Sequence, residues 1–300
     1  MATLPAEDIE GGSSNTLTRS RLLLGGAVVY LAVIFGAMLW RGVSIEPEWV
    51  VLALLLVAVA LGRGKRFVVD WAPFLVLFLA YEAMRGFAGG IGIRPYDMGR
   101  WEQALFGGTL PTVWLQQRLY DVHRISPLDW AAMTLYFMHF AVPLVAGFLL
   151  WLRSRERYWQ FVAALLLMSF AAFVVYLFFP SAPPWWQYHG EVHKVIDETI
   201  QKWGVRYYVS PVYDSFNPNR FAAFPSLHAA YPALAAVFVG KVSRAAGAVL
   251  WTWAACVWFA IVYLGEHYVI DAAAGLVFVA LATAAVHVAM RIRRRRAMPA

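Results

Sequence analysis

The chain has 300 residues, of which 61% are hydrophobic, 16% aromatic and only 14% charged. Soluble domains carry about 25% charged residues, so a water-soluble globule is excluded and much of the solvent must be lipid. The formal charge of +7 matters mainly through its distribution, and the single cysteine, Cys256, excludes an intrachain disulfide. Within its apolar run Cys256 is expected to be a small core residue.

Residues 1–20 are polar and too long for a typical secretory n-region, and no small-x-small site follows the first apolar run at Gly36–Trp40, so that run is expected to be retained. Apolar stretches fall at 22–40, 49–62, 67–86, 129–151, 158–179, 225–240, 245–264 and 268–290. Most reach the roughly 17–25 residues that a spanning helix needs, whereas the second also has a length that suits a re-entrant or interfacial segment. The expected fold is all-α: a polytopic transmembrane bundle of about eight spans. Trp40, Trp49, Trp71, Trp130, Trp151 and Trp159 lie at or beside the expected helix ends, as interfacial belts would place them.

With the N-terminus inside, the inner segments 1–21, 63–66, 152–157, 241–244 and 291–300 hold 15 Lys/Arg in 45 residues, against nine in 98 for the outer segments. Both termini are therefore assigned to the cytoplasm. The basic run 291–296 directly follows a span and reads as a topology and headgroup anchor rather than a nucleic-acid patch. Two long outer connections, 87–128 and 180–224, are candidates for function because short hairpins suffice to join helices. In the first, Pro111 to Val122 reads as a short interfacial helix with Trp114, Leu115, Leu119 and Val122 on one side and Gln117, Arg118 and Asp121 elsewhere.

Ionisable residues at a membrane mouth are functional candidates by default. His228 opens the sixth expected span in Phe224-Pro225-Ser226-Leu227-His228, and His267 and Asp271 open the eighth. A spacing of four puts His267 and Asp271 on one face of a helical turn. In the expected topology both span starts lie at the outer face, so the three side chains can converge. A carboxylate accepting one ring N–H of a histidine leaves the other nitrogen free as a nucleophile. A second histidine can protonate a leaving oxygen, and helix-start amides around Ser226 are a seat for a phosphate oxyanion. Taken singly, each histidine is better explained as a mouth-lining residue bonded to backbone. Two His and one Asp without Cys or a His-Glu-x-x-His helix make a weak zinc signature, and no cofactor is implied. His123, His139, His189, His193 and His287 have no comparable local partner and stay unassigned.

Phe224-Pro225-Ser226-Leu227-His228-Ala229, followed by Tyr263-Leu264-x-x-His267-Tyr268-x-x-Asp271, resembles the type-2 phosphatidic acid phosphatase superfamily. Within it the chain resembles the branch of inositol phosphorylceramide synthases and related sphingolipid head-group transferases, and Phe179–Trp185 is similar to that branch's proline-rich stretch. The resemblance covers 129–290 well and the first 128 residues loosely. It implies that His267 attacks phosphorus, that Asp271 orients it and that His228 protonates the leaving group.

The phosphatase pattern is not complete. Its Lys-x6-Arg-Pro motif is absent, Ala260-Ile261 stands where Ser-Arg is usual, and Leu227 replaces a glycine. Two cationic clamps are missing, which favours a phosphodiester, with one charge less, over a phosphomonoester. Arg85 and Arg220 are the candidates to supply positive charge, with Arg94 and Arg100 behind them; an i,i+3 pair with Glu82 would account for Arg85 equally well. Tyr263 and Tyr268 are candidates to line the pocket, and aromatic packing would also account for them.

The expected organisation is a cytoplasmic tail (1–21), N-terminal spans with an extracytoplasmic interfacial segment (22–128), a catalytic membrane domain (129–290) and a basic cytoplasmic tail (291–300). The expected activity is a metal-independent transfer of a phosphate-linked head group from a phospholipid donor to a lipid alcohol acceptor. The alternatives are hydrolysis of a lipid or polyprenyl phosphate by the same residues and, from another class, transport. Against transport, no paired broken helices recur in two matching halves. The short extensions favour a bacterial plasma membrane over a eukaryotic endomembrane.

Overall fold

The computed structural model describes residues 47–88, 94–203 and 219–296. Twelve helices cover them: α1 (Pro47–Ala60), α2 (Gly64–Ala88), α3 (Met98–Leu105), α4 (Pro111–Leu119), α5 (Pro127–Met138), α6 (Ala141–Arg153), α7 (Arg155–Phe178), α8 (Pro184–Gln187), α9 (Val195–Trp203), α10 (Leu227–Gly240), α11 (Arg244–Tyr263) and α12 (Val269–Arg296). Extended pairing among the described residues is confined to two isolated bridges, Tyr96 with Ser181 and Ser181 with Ala222. The expected tail 1–21 and first span 22–40 lie outside the described residues.

Serines open many of these helices because a side-chain oxygen satisfies an orphan amide of the first turn. Ser154, Ser226 and Ser243 cap α7, α10 and α11 in this way. Ser126 and Asp129 form a reciprocal capping box on α5, with Pro127 at its first position.

By length and composition α7, α11 and α12 each suffice to cross a membrane, and α5 with α6 would make a fourth span bent by 47°. The expected span 129–151 is therefore broken, at His139–Phe140. The expected span 225–240 is α10, whose 14 residues fall short of a full crossing. α2 covers the expected span 67–86 but begins with Lys65 and Arg66 and contains Asp70.

α10 is the central element, packed against α6, α7, α11 and α12 and buried on almost every side. In lipid, helix association depends on close van der Waals packing, which small residues permit. α10 supplies Ala229, Ala230, Ala233, Ala235 and Ala236. Around it, the faces of α11 and α12 left uncovered carry Val249, Phe259, Val277, Leu281 and Val288, as a lipid-facing surface would.

Three sequence expectations are corrected. Trp71 and Trp151 belong to the core rather than to a belt: Trp71 stacks on Phe67 and Tyr158, and Trp151 Nε1 donates to Asp70 at 2.9 Å. Cys256 is exposed on α11, because Ala254, Val257, Ala260 and Ile261 occupy its inward face. In α4 the buried face is Thr112, Val113 and Gln116, while Trp114 and Leu119 stay exposed. Gln116 turns inward because its amide bonds His193 O, Tyr263 O and His193 N, pinning α4 and the 190s segment to the end of α11.

Candidate active site

The starts of α10 and α12 are held together by backbone. Ser226 N donates to Asp271 O at 3.0 Å, and a Cβ on Gly275 would lie 2.4 Å from Ser226 O. Only glycine allows that approach. Tyr176 at the end of α7 supports the same turn by donating to Pro225 O at 2.8 Å.

This packing brings His228 and His267 together, with His267 Nε2 lying 3.0 Å from His228 Nδ1. His267 is 4% exposed. Its Nδ1 faces the carbonyl of Ala223 at 3.0 Å and Asp271 Oδ2 at 3.4 Å. The tautomers follow from these partners. A carbonyl oxygen only accepts, so Nδ1 of His267 carries the hydrogen and Nε2 holds a lone pair; His228 Nδ1 is then the donor between the rings.

The shared orientation of His267 departs from the simple carboxylate–histidine pair expected from spacing. Asp271 Oδ2 also accepts the Tyr268 amide at 2.9 Å, and the nearer partner of His267 is a main-chain carbonyl. Ala223 is fixed in turn by Ser181, whose amide donates to Phe221 O at 2.8 Å and whose carbonyl accepts Ala223 N at 3.2 Å. The proline-rich stretch around residues 180–184 thus positions the nucleophile candidate through backbone pairing. No side chain in the sequence announces this.

His228 and His267 face a cleft that Arg220 also lines; His139, Tyr136, Tyr231 and Glu266 form part of its wall. Ser226 is buried and its Oγ accepts the Ala229 amide at 3.3 Å, so its side chain caps α10. Tyr263 and Tyr268 are placed elsewhere. The Tyr263 hydroxyl donates to Asp129 at 2.5 Å, joining α11 to α5, and Tyr268 packs with Met98, Leu110, Val113 and Val192. Arg85 lies on α2, but its side chain falls outside the described residues. Arg94 is exposed, and Arg100 pairs with Asp97 at 3.2 Å. Among the described residues no three His, Cys, Asp or Glu side chains are arranged to hold a metal ion.

Sequence reasoning missed three participants. His139 lines the cleft from the α5–α6 break, and Glu266, beside His267, accepts Trp185 Nε1 at 3.3 Å. Glu102 on α3 caps the last helix, its Oε1 accepting the Val269 amide at 2.5 Å and the Ile270 amide at 3.3 Å. Burial, reinforced by the Asp271 charge and opposed by those two amides, pushes the Glu102 carboxyl up to about 7. The negative end of Glu102 also suits the positive N-terminus of α12.

Imidazoles in this relation, His228 in the first turn of α10 and His267 just before α12, one with a lone pair and one presenting a proton to it, fit nucleophilic attack coupled to general acid catalysis. No curated protein and no solved structure matches the chain. The PAP2 superfamily model matches residues 98–285, starting ahead of the 129 expected and taking in α3 and α4 with the helices that carry His228 and Asp271. The chain belongs to the PAP2 superfamily, whose lipid-related phosphatase and phosphotransferase chemistry suits a protein with apolar helices of membrane-spanning length.

Proposed function

We propose that the protein is a membrane lipid phosphotransferase that moves a phosphate-linked head group from a phospholipid donor to a lipid alcohol through a phosphohistidine. The observation that carries the reading is the 3.0 Å approach of His267 Nε2 to His228 Nδ1, with His267 Nδ1 held from behind. The phosphorus enters between the two rings. His267 Nε2 forms the P–N bond as the P–O bond to the diacylglycerol-type alcohol breaks, and His228, as an imidazolium, gives its Nδ1 proton to that oxygen and is left neutral. In the second displacement His228 takes the proton of the acceptor hydroxyl, whose oxygen attacks phosphorus as the P–N bond breaks. Asp271 and Ala223 O hold the imidazole ring of His267 throughout. Arg220 supplies positive charge to the equatorial oxygens.

The absence of the two cationic clamps supports a phosphodiester donor. The inositol-phosphate head group and ceramide-like acceptor belong to this proposal through the sequence resemblance alone. The Lys/Arg distribution supports about eight spans with both termini in the cytoplasm and the histidines facing outward, in a bacterial plasma membrane. Purified protein given a head-group-labelled phospholipid, with and without a long-chain alcohol, tests the reading. Label recovered on the alcohol is the expected result, and label released only to water would replace transfer with hydrolysis.

A further inference from the structure

A third histidine reaches the cleft. His139 ends α5 where the chain bends into α6, and it is 5% exposed. Its ring centroid lies 4.0 Å from that of His228, with the planes tilted by 41°. Tyr136, one turn earlier, stacks on His228 at 4.6 Å and 19°. The Nδ1 atom of His139 contacts the Tyr136 carbonyl, which only accepts, so Nδ1 carries a hydrogen. Nε2 is then the lone-pair atom of the neutral ring, and a hydrogen added there makes the ring a cation with a second donor.

A wall that merely orients His228 needs an aromatic ring, and Tyr136 already shows that a phenol suffices. A phosphoryl group in transfer needs more: its equatorial oxygens gather charge that the site must offset. Among the described lining residues Arg220 is the guanidinium, while the Glu266 carboxyl borders the same space. The motif positions that would carry clamps hold Ala260 and Ile261, both fully buried. We propose that His139, as an imidazolium, donates its Nε2 hydrogen to a non-bridging oxygen of the phosphate held between His228 and His267. The inference rests on the phosphoryl-transfer reading of this cleft. Two imidazolium rings this close repel unless an anion sits with them, so the charge on His139 develops as the phosphate arrives.

Orthovanadate is the probe, because its binding to purified protein in detergent is read as a melting shift and needs no turnover. His139→Phe keeps the ring wall and removes the donor; His139→Gln keeps a neutral donor. Loss of one such donor costs on the order of 10²-fold, so His139→Phe is expected to weaken vanadate and lower kcat/KM by about that factor, with His139→Gln recovering part of both. Wild-type vanadate affinity in His139→Phe overturns the inference, whether or not turnover falls, because a wall or packing role would leave the anion untouched. If the wild type transfers label while vanadate ignores residue 139, this inference alone fails. If vanadate binding depends on His139 but no lipid substrate is turned over, the anion site stands and the transferase reading fails.

Discussion

Asp70, at one end of the bundle, and Asp271 and Glu102, at the other, are buried in opposite ways. Far from the histidines, Asp70 is wholly enclosed and both its oxygens are taken: Arg155 Nη2 reaches Oδ1 at 2.5 Å, Arg155 Nε spans both at 2.9 and 3.0 Å, and Trp151 Nε1 reaches Oδ2 at 2.9 Å. At the histidine end, Asp271 Oδ1, Glu102 Oε2 and the Tyr268 hydroxyl have no hydrogen-bond partner among the described residues. A saturated buried charge is a brace whose removal costs stability. Incompletely matched groups beside the two histidines are what the proposed reading of this cleft would lead one to expect. The contrast separates what holds the helices from what uses them.

The sharpest way to break the comparison is at the histidine end. His267→Ala is expected to lower kcat by about 10⁴-fold or more, the scale seen when a nucleophile is removed, with melting in detergent unchanged. Near-normal label transfer by that variant would discard the site. Asp271→Asn is the next test. Where a carboxylate alone fixes the tautomer of a catalytic histidine, the amide costs about 10⁴-fold; here Ala223 O retains the tautomer, and a kcat loss of only about 10²-fold is expected. A loss as large as that of His267→Ala would show that the carbonyl contributes little.

At the other end, Asp70→Asn should lower stability by about 1–3 kcal/mol, kept modest because Arg155 is half-exposed and can turn to solvent. Its kcat per folded molecule should match wild type; a proportional loss of turnover would erase the distinction between the ends. Gly275→Ala joins both effects, since its Cβ meets the Ser226 carbonyl at 2.4 Å and must wedge α12 from α10. The expected cost is about 1–3 kcal/mol, with turnover falling as well, measured by melting and label transfer on one preparation.

The remaining test is a pH dependence. Glu102 is raised from 4.5 to about 7 by burial. Between these values the folded chain keeps a proton that the unfolded chain releases, so stability should fall as pH rises through the interval and stay low above it. Melting temperatures of Glu102→Gln across the same interval should lack that component of the slope, and identical slopes would remove Glu102 from the account.

That His228, His267 and Asp271 come together was legible because each sits in a short motif at the start of an apolar stretch, although His267 itself precedes α12. His139 had no such signal: its partner is 89 residues away in the chain, and only the α5–α6 bend aims it at His228. Glu102 reads as a lone acid in a short amphipathic helix, and its role appears only when α3 docks on the start of α12. Tyr263 and Tyr268 were singled out by position in a motif, yet their rings pack and brace. Hydropathy located the apolar stretches well, but it could not separate a 14-residue buried helix from a full crossing, since both are uniformly apolar.

The main-chain oxygen of residue 223 has an evolutionary corollary. No point substitution deletes an amide carbonyl, so drift at position 223 itself leaves this anchor of the imidazole in place. Loss must come from elsewhere, through changes near Ser181 that unzip the short pairing carrying the 221–223 segment. The hold on the ring is thereby lodged in backbone pairing and not in the side chain at position 223.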